Sequence, residues 1–329
     1  MRRRNYLRLA ARAAFILLAV TASAASAHAQ GYTPDCPPPY ADIETQHPMD
    51  DPRTGCSITG SRGGAGPQQE QNKAKNSFCA GGGGRPTTLT AAVFKALQDG
   101  VDSTGFRYGR DRNGEILPDS RSDIPRPTVT VGGRNRTLGE GDFVRYVGFV
   151  IDPRHSNVGR ARPGQKAGES VNCNKGDCEN NDIHMELTEK SPARSRSIDP
   201  CTTVTAELVP HLRPVSWDHF DSPEYIAFFR THPVRLSGQL FFDASHKPCR
   251  NVGTPRQVAE NPKRITVWEI HPVYSIDVCR NNSLARCAAD DDSVWESLDS
   301  RLGSMAVSPG AKCRTRPAPR RPRRPRPNG

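Results

Sequence analysis

After its first thirty residues, this 329-residue chain lacks any apolar run near the ~20 residues that a membrane helix requires. It also lacks a Cys-x-x-Cys pair, a common cysteine signature of zinc sites. The glycine clusters at 63–66 and 81–84 precede neither a strand-to-helix turn nor a Lys-Ser/Thr pair, which argues against a phosphate-binding loop. Gly168-Glu-Ser170 lacks the second glycine of a nucleophile elbow. The sequence therefore predicts neither a membrane span nor one of these enzyme signatures.

Residues 1–29 have the three parts of a secretory signal peptide. They contain a basic start at 2–4, an apolar stretch at 13–20 and a small-residue cleavage signal at 27–29. We expect cleavage before Gln30. The sequence thus predicts an exported protein, located in the periplasm or outside the cell.

The far end of the chain, residues 314–329, has seven arginines, five prolines and nothing apolar to bury. This composition predicts a disordered tail, and its charge suits an anionic envelope surface or a polyanion as partner. The chain has a net charge of +11. Five of its arginines lie in the signal peptide and seven in the tail, and neither segment contains an acidic residue. Residues 31–313 therefore carry a net charge of −1, so the pI of 9.4 does not indicate nucleic-acid binding by the folded part.

The chain has ten cysteines, all beyond the signal peptide. An even count in an exported protein favours disulfide bonds over zinc ligands. Cys173 and Cys178 could close a small loop with each other, or each could pair elsewhere, and the pairing stays open. The disulfide candidates are Cys36, Cys56, Cys79, Cys173, Cys178, Cys201, Cys249, Cys279, Cys287 and Cys313.

The pattern along the chain divides it into a Gly/Pro-rich, cysteine-containing arm at 30–86, a helix and linker at 87–126, a barrel at 127–287 and an extension at 288–313. Alternating apolar residues predict strands at 142–151, 183–187, 202–209, 234–243 and 264–279. A helix capped by Ser222 is predicted at 222–230, and another at 88–98, ended by Gly100.

This element order predicts a mainly β fold, a five-stranded OB-like barrel with a short helix between the third and fourth strands. A β-sandwich is the alternative. In the barrel we expect the first strand to pair with the second and fourth, and the fifth to pair with the first and third.

Polar side chains recur on three of the predicted strands. Residues two apart on a strand share a face, so the carboxylate and imidazole of the last strand leave the sheet side by side. Three imidazoles with nearby carboxylates suit zinc or another divalent metal. A structural polar network and a ligand site without chemistry are the other interpretations. The candidate residues are Asp182, His184, Asp243, His246, Glu269 and His271, with His184, His246 and His271 as the metal ligands.

Two segments also resemble a known family. Val234-x-x-x-Gly-x-Leu-Phe-Phe-Asp-x-x-His246 and Trp268-Glu-Ile-His-Pro-Val273 are similar to motifs of an uncharacterised family of exported bacterial proteins with OB-like barrels. The resemblance covers roughly residues 140–280. It implies an exported OB-like barrel and brings no activity with it.

These observations together favour a non-enzymatic binding or structural module of the cell envelope, without a cofactor and with its ligand unidentified. The alternative is a metal-dependent hydrolase with a site of histidines and carboxylates at the barrel rim.

Overall fold

The computed structural model describes residues 56–57, 59–61, 66–77, 80, 84–156, 158, 168–193, 198–210, 213–249 and 263–303. The predicted signal peptide and arginine-rich tail, with Cys36, Cys79 and Cys313, lie outside these ranges. The helices are α1 (Pro67–Lys75), α2 (Ala91–Ser103), α3 (Pro223–Phe229) and α4 (Leu298–Leu302). The strands are β1 (Thr87–Leu89), β2 (Gly109–Asp111), β3 (Gly114–Ile116), β4 (Thr128–Val131), β5 (Arg134–Thr137), β6 (Phe143–Val150), β7 (Arg154–His155), β8 (Ile183–Thr188), β9 (Val204–Leu208), β10 (Val234–Phe242), β11 (Trp268–Cys279) and β12 (Trp295–Ser297).

Five strands close into a barrel in the order β6–β10–β11–β9–β8 and back to β6. All pairs are antiparallel except β9 with β11, which is parallel. With α3 between the third and fourth barrel strands, this is the predicted OB-like topology. One pairing was predicted wrongly: the fifth strand, β11, pairs with the fourth and third strands, not with the first.

The inside of the barrel is apolar because alternate residues of each strand point inward. Leu236, Leu240 and Phe242 of β10 meet Trp268 and Ile270 of β11 in the main core, all fully buried. The Phe242 ring packs edge-on against Trp268, with ring centroids 4.8 Å apart. This inner face buries the apolar surface that stabilises the fold.

Capping side chains stand at the starts of α2 and α3, and α2 begins at Ala91 instead of the predicted 88 because Thr87–Leu89 form β1. Thr90 Oγ1 accepts the backbone N–H of Val93 at α2, and Ser222 Oγ accepts that of Tyr225 at α3. The prediction that Gly100 ends α2 was wrong, because the helix continues to Ser103. A Cβ at Gly100 would lie 2.4 Å from Cβ of Pro127, so the glycine allows a close contact instead.

Some elements lie in stretches for which the sequence pattern predicted no helix or strand. The β2–β3 hairpin lies within 102–126, β5 completes a hairpin with β4, and α1 lies within the Gly/Pro-rich arm. Helix α1 contains Pro67 in its first turn and buries a polar face of Gln71, Asn72 and Lys75. Its mean hydropathy is negative, so no apolar stripe predicted it.

Disulfides hold the outer segments to the barrel. Cys56 is bonded to Cys173, Cys201 to Cys249 and Cys279 to Cys287. Cys178 is also disulfide-bonded, so Cys173 and Cys178 do not pair with each other. Among the described residues, no helix has the length and apolar character needed to cross a bilayer.

Candidate functional site

The predicted polar residues lie on the outer face of the barrel sheet. On β11, Trp268 and Ile270 point into the main core, which places Glu269 and His271 on the opposite face. Both side chains are nevertheless 0% exposed. Other segments of the chain therefore cover this part of the outer face.

Glu207 of β9 joins two of the three predicted histidines. It pairs in register with His184 on β8, and the neighbouring Ala206 pairs with Ile270 of β11. His184 Nε2 lies 3.3 Å from Glu207 Oε1, and His271 Nδ1 lies 3.0 Å from Glu207 Oε2. His271 Nδ1 also lies 3.2 Å from Glu269 Oε1. One carboxylate on the strand between them thus brings the second and fifth barrel strands into one site.

Two residues from outside the barrel complete this group. Glu169 Oε1 lies 3.2 Å from His184 Nε2, and Lys75 Nζ of α1 lies 3.5 Å from Glu169 Oε2 and 4.0 Å from Glu207 Oε2. We call the resulting set the His/carboxylate centre. Its members are Lys75, Glu169, Asp182, His184, Glu207, Glu269 and His271.

Helix α1 reaches the barrel through polar contacts. The side-chain amide of Gln239 on β10 donates to the carbonyl of Ala74 at 2.9 Å and to the carbonyl of His271 at 3.0 Å. Arg121 donates to Gln71 Oε1 at 3.1 Å, and its guanidinium lies 5.0 Å from the ring of Phe241. These contacts seat the helix so that Lys75 covers the centre.

His246 lies in a different cluster. Its Nδ1 is 2.6 Å from Asp243 Oδ2, and Asp243 Oδ1 accepts the backbone N–H of Ser245 at 3.2 Å. This is the turn-internal bonding expected of an Asp-x-x-His segment. Arg264 pairs with Asp243 and donates to Glu269 Oε2 at 2.5 Å, which connects the turn to the centre. Among the described residues, no contact places His246 beside Glu207. Of the three predicted histidines, His184 and His271 therefore lie together at Glu207 and His246 does not.

The charges of the centre shift one another's pKa values. Burial alone would lower the pKa of His271, but the Glu207 carboxylate raises it to about 10. Burial opposes the ionisation of Glu207. The cations His184 and Lys75 favour it and lower the pKa of this carboxyl to about 2. Burial also works against protonated Lys75, yet Glu207 and Glu169 raise its pKa well above its usual value. The centre is thus an ionised and internally paired network.

Asp182 is the exception within this network. It is 0% exposed, and neither of its carboxylate oxygens has a hydrogen-bond partner. Burial and the nearby charge of Glu169 raise its pKa to about 6. His271 Nε2 is buried without a partner as well. Buried polar groups of this kind are uncommon, so these atoms mark a place where the protein's own residues do not complete the bonding.

The donor atoms of two overlapping sets lie close enough together to hold a metal ion. One set is Glu169, His184 and Glu207, and the other is Asp182, Glu207 and His271. Within each set the donor atoms lie within 4.8 Å of one another. Carboxylate and imidazole donors suit zinc and neighbouring first-row ions.

As protein alone, the centre is poorly suited to acid–base catalysis on a substrate. A general base needs a pKa near the working pH and contact with the proton it removes. His271 is 0% exposed with a pKa of about 10, and Glu207 is 2% exposed with a pKa of about 2. A substrate would have to displace Lys75 and α1 before it touched either group.

A surface depression lies elsewhere on the molecule. Its volume is about 400 Å³, and none of the predicted site residues lines it. The lining residues are Arg85, Thr87, Arg136, Thr137, Leu138, Asp142 and Phe143. The described depression and the His/carboxylate centre are therefore separate features.

Sequence reasoning missed Lys75, Glu169 and Glu207. One feature of Glu207 indicates a site residue. It is an acidic residue inside a strand whose five residues are all buried. Lys75 and Glu169 lie in segments without strand periodicity, and only the fold brings them to the barrel. Comparison of the chain with protein-family models, with curated proteins and with solved structures finds no match. The family resemblance stays a prediction.

Proposed function

We propose that the protein is an exported, non-enzymatic binding or structural module of the cell envelope. The observation that carries this proposal is the cover over the His/carboxylate centre. Lys75 of α1 lies on Glu207 and Glu169, and Glu207 and His271 are buried and ion-paired with each other. Such a centre holds segments together and does not meet a substrate.

The disulfides support the exported part of the proposal. Three bonds join described cysteines, and bonds of this kind persist in oxidising compartments. The signal peptide predicted at 1–29 supports the same location. The Cys56–Cys173 bond also fixes the arm beside the 170–172 turn, which lies next to Glu169.

The first test compares turnover with stability. The tag-free exported chain and its His271→Gln and His184→Gln variants are assayed on ester, phosphodiester, peptide and glycoside substrates, with and without zinc or manganese. We expect no turnover above that of heat-denatured protein, and a lower melting temperature for both variants. Metal-dependent hydrolysis that both substitutions abolish would establish the hydrolase instead.

The second test concerns the predicted partner. We expect the full exported chain to bind vesicles containing anionic lipid at low salt and to release them at high salt, because arginine contacts to a charged surface are screened. Deletion of 314–329 should remove this binding, and neutral vesicles are the control. Binding that survives the deletion would place the anionic contact on the folded part.

A further inference from the structure

We infer that Asp182, Glu207 and His271 form a binding site for one divalent first-row metal ion, with zinc the best match, and that Lys75 is the internal cation that the metal displaces. This inference rests on the proposed function, because it names what the covered centre binds without reaction. It concerns residues beside β8 and on β9 and β11 that no single sequence motif contains.

The first support is geometric. One donor atom from each of the three residues lies within 4.8 Å of the other two. Donors on a zinc ion with bonds of about 2.0–2.2 Å stand roughly 3–4 Å apart, so small side-chain rotations would close the set around an ion. Each residue lies on or beside a barrel strand, which limits how far the donors can drift.

The second support is the unfinished bonding. Both oxygens of Asp182 and the Nε2 atom of His271 are buried without a partner. Buried polar atoms without partners destabilise a protein, and a cation bonded to all three residues would satisfy these atoms at once.

The third support is the orientation of His271. Its Nδ1 atom lies 3.0 Å from Glu207 Oε2 and 3.2 Å from Glu269 Oε1, so this nitrogen faces carboxylates and a metal ion would take the place of the proton on Nε2. Histidine ligands of metals are commonly held in this way by a carboxylate on the other ring nitrogen. Arg264 in turn fixes Glu269 by donating to its Oε2 atom.

The fourth support is the local charge. Glu169, Asp182 and Glu207 supply three carboxylates, and Lys75 is the permanent cation beside two of them. When a metal ion displaces Lys75 and the proton of His271, the three carboxylates leave a negative site that attracts a divalent ion. The mixture of imidazole and carboxylate donors favours zinc or manganese over calcium, which prefers six or more oxygen ligands.

Lys75 has a defined role in this arrangement. Its ammonium lies 3.5 Å from Glu169 and 4.0 Å from Glu207, where it neutralises Glu207, one of the two carboxylates that would bind the metal ion. The lysine and the ion therefore compete. Removal of the ammonium should tighten metal binding and also destabilise the metal-free protein.

The test uses the tag-free, oxidised exported chain, with zinc or manganese chloride as the probe. Isothermal titration calorimetry and elemental analysis should find one zinc per chain. We expect Asp182→Asn and His271→Gln to weaken zinc binding by about tenfold or more. Lys75→Met should strengthen it. With cobalt as a spectroscopic probe, Asp182→Asn should lose the visible bands of the bound ion.

Two control variants match the test variants in what they remove. One removes a carboxylate charge, as Asp182→Asn does, and the other removes an imidazole, as His271→Gln does. Glu186→Gln removes another carboxylate from the same face of β8, one that pairs with Arg154 at 3.0 Å. His246→Gln removes the imidazole of the separate Asp243 cluster. Both should bind zinc within about twofold of the parent chain, since neither is a ligand.

Asp182→Asn also separates a metal ligand from a structural residue. The metal-free variant should melt at or above the parent temperature, because it loses an unpaired buried charge. A clear loss of metal-free stability together with unchanged zinc affinity would overturn the inference. So would the absence of saturable one-to-one binding in both the parent and Lys75→Met. Either outcome leaves the non-enzymatic module standing, whereas turnover by the zinc-loaded chain would overturn that proposal and leave the metal site in place.

Discussion

At the start of β11, from Trp268 to His271, the two faces of the strand are equally buried but are built in different ways. On the inner face, Trp268 and Ile270 meet apolar residues of the other barrel strands. On the outer face, Glu269 and His271 meet Arg264, Glu207 and the cover that α1 provides. The inner face is buried by closure of the sheet itself. The outer face is buried by segments distant in sequence, and its charges must be paired by them.

This difference separates what maintains the fold from what can carry a function. Apolar residues inside the barrel can replace one another, since any apolar side chain of suitable volume fills the space. Ionised groups on the outer face each need a particular partner at a particular distance. The outer face is consequently the part where one substitution changes chemistry as well as stability.

The largest expected effect is at Arg264. Arg264→Met leaves Asp243 and Glu269 buried without their shared cation, which should cost about 3–5 kcal/mol in the free energy of unfolding. Urea denaturation at neutral pH measures it. Arg110→Met is the control, since Arg110 is 59% exposed where it pairs with Glu115, and surface pairs contribute at most about 1 kcal/mol. Equal losses in the two variants would contradict the contrast between buried and exposed pairs.

On the inner face, Leu240→Ala should cost about 2–5 kcal/mol, because it opens a cavity in the apolar core. The loss should leave zinc affinity unchanged. Thermal melting and calorimetry on the same sample measure both quantities. A change in zinc affinity would show that the two faces are not independent.

Removal of the Cys56–Cys173 bond should cost about 2–4 kcal/mol, because the bond closes a loop with a sequence separation of 117. The double substitution Cys56→Ser/Cys173→Ser is compared with Cys279→Ser/Cys287→Ser, whose bond has a separation of 8. In the chain-entropy account the longer loop gives the larger loss. We also expect faster hydrogen exchange in α1 for the first variant and not for the second.

The smallest expected effect is a pH dependence at His246. Burial alone would lower the pKa of His246, but the Asp243 carboxylate raises it above its usual value. The folded state therefore binds this proton more tightly than the unfolded state, and the contribution is complete below about pH 6.5 and is lost as pH rises through the folded pKa. His246→Gln should destabilise the protein more at pH 5.5 than at pH 9.5, by about 1 kcal/mol or less, because the ring is 34% exposed. A loss independent of pH would mean that the ring contributes only by packing.

Much of the barrel could be predicted because its inner face follows a period of two. The five strands and the capped helix α3 all lie where alternation and the Ser222-Pro223 start placed them. The pairs Asp182 with His184 and Glu269 with His271 followed from the same periodicity. Glu207 could have been added, as the single acid in the buried strand β9.

The cover could not be predicted in the same way. Helix α1 contains a proline, glutamines and lysines, and it is buried through hydrogen bonds to Arg121, Gln239 and Ser245 that only the folded barrel supplies. The grouping of His246 with His184 and His271 failed for a related reason. A carboxylate three residues away in its own turn is a nearer partner than any group on another strand.

The distances along the chain between the members of the His/carboxylate centre have a consequence for the order of folding. Lys75, Glu169, Glu207 and His271 come from an arm, a loop and two strands, so their contacts have a high contact order and their formation requires long loops to close first. The apolar strands can collapse before these charges meet. We therefore expect the docking of α1 to follow formation of the barrel, and the release of α1 to be an early local opening of the native protein.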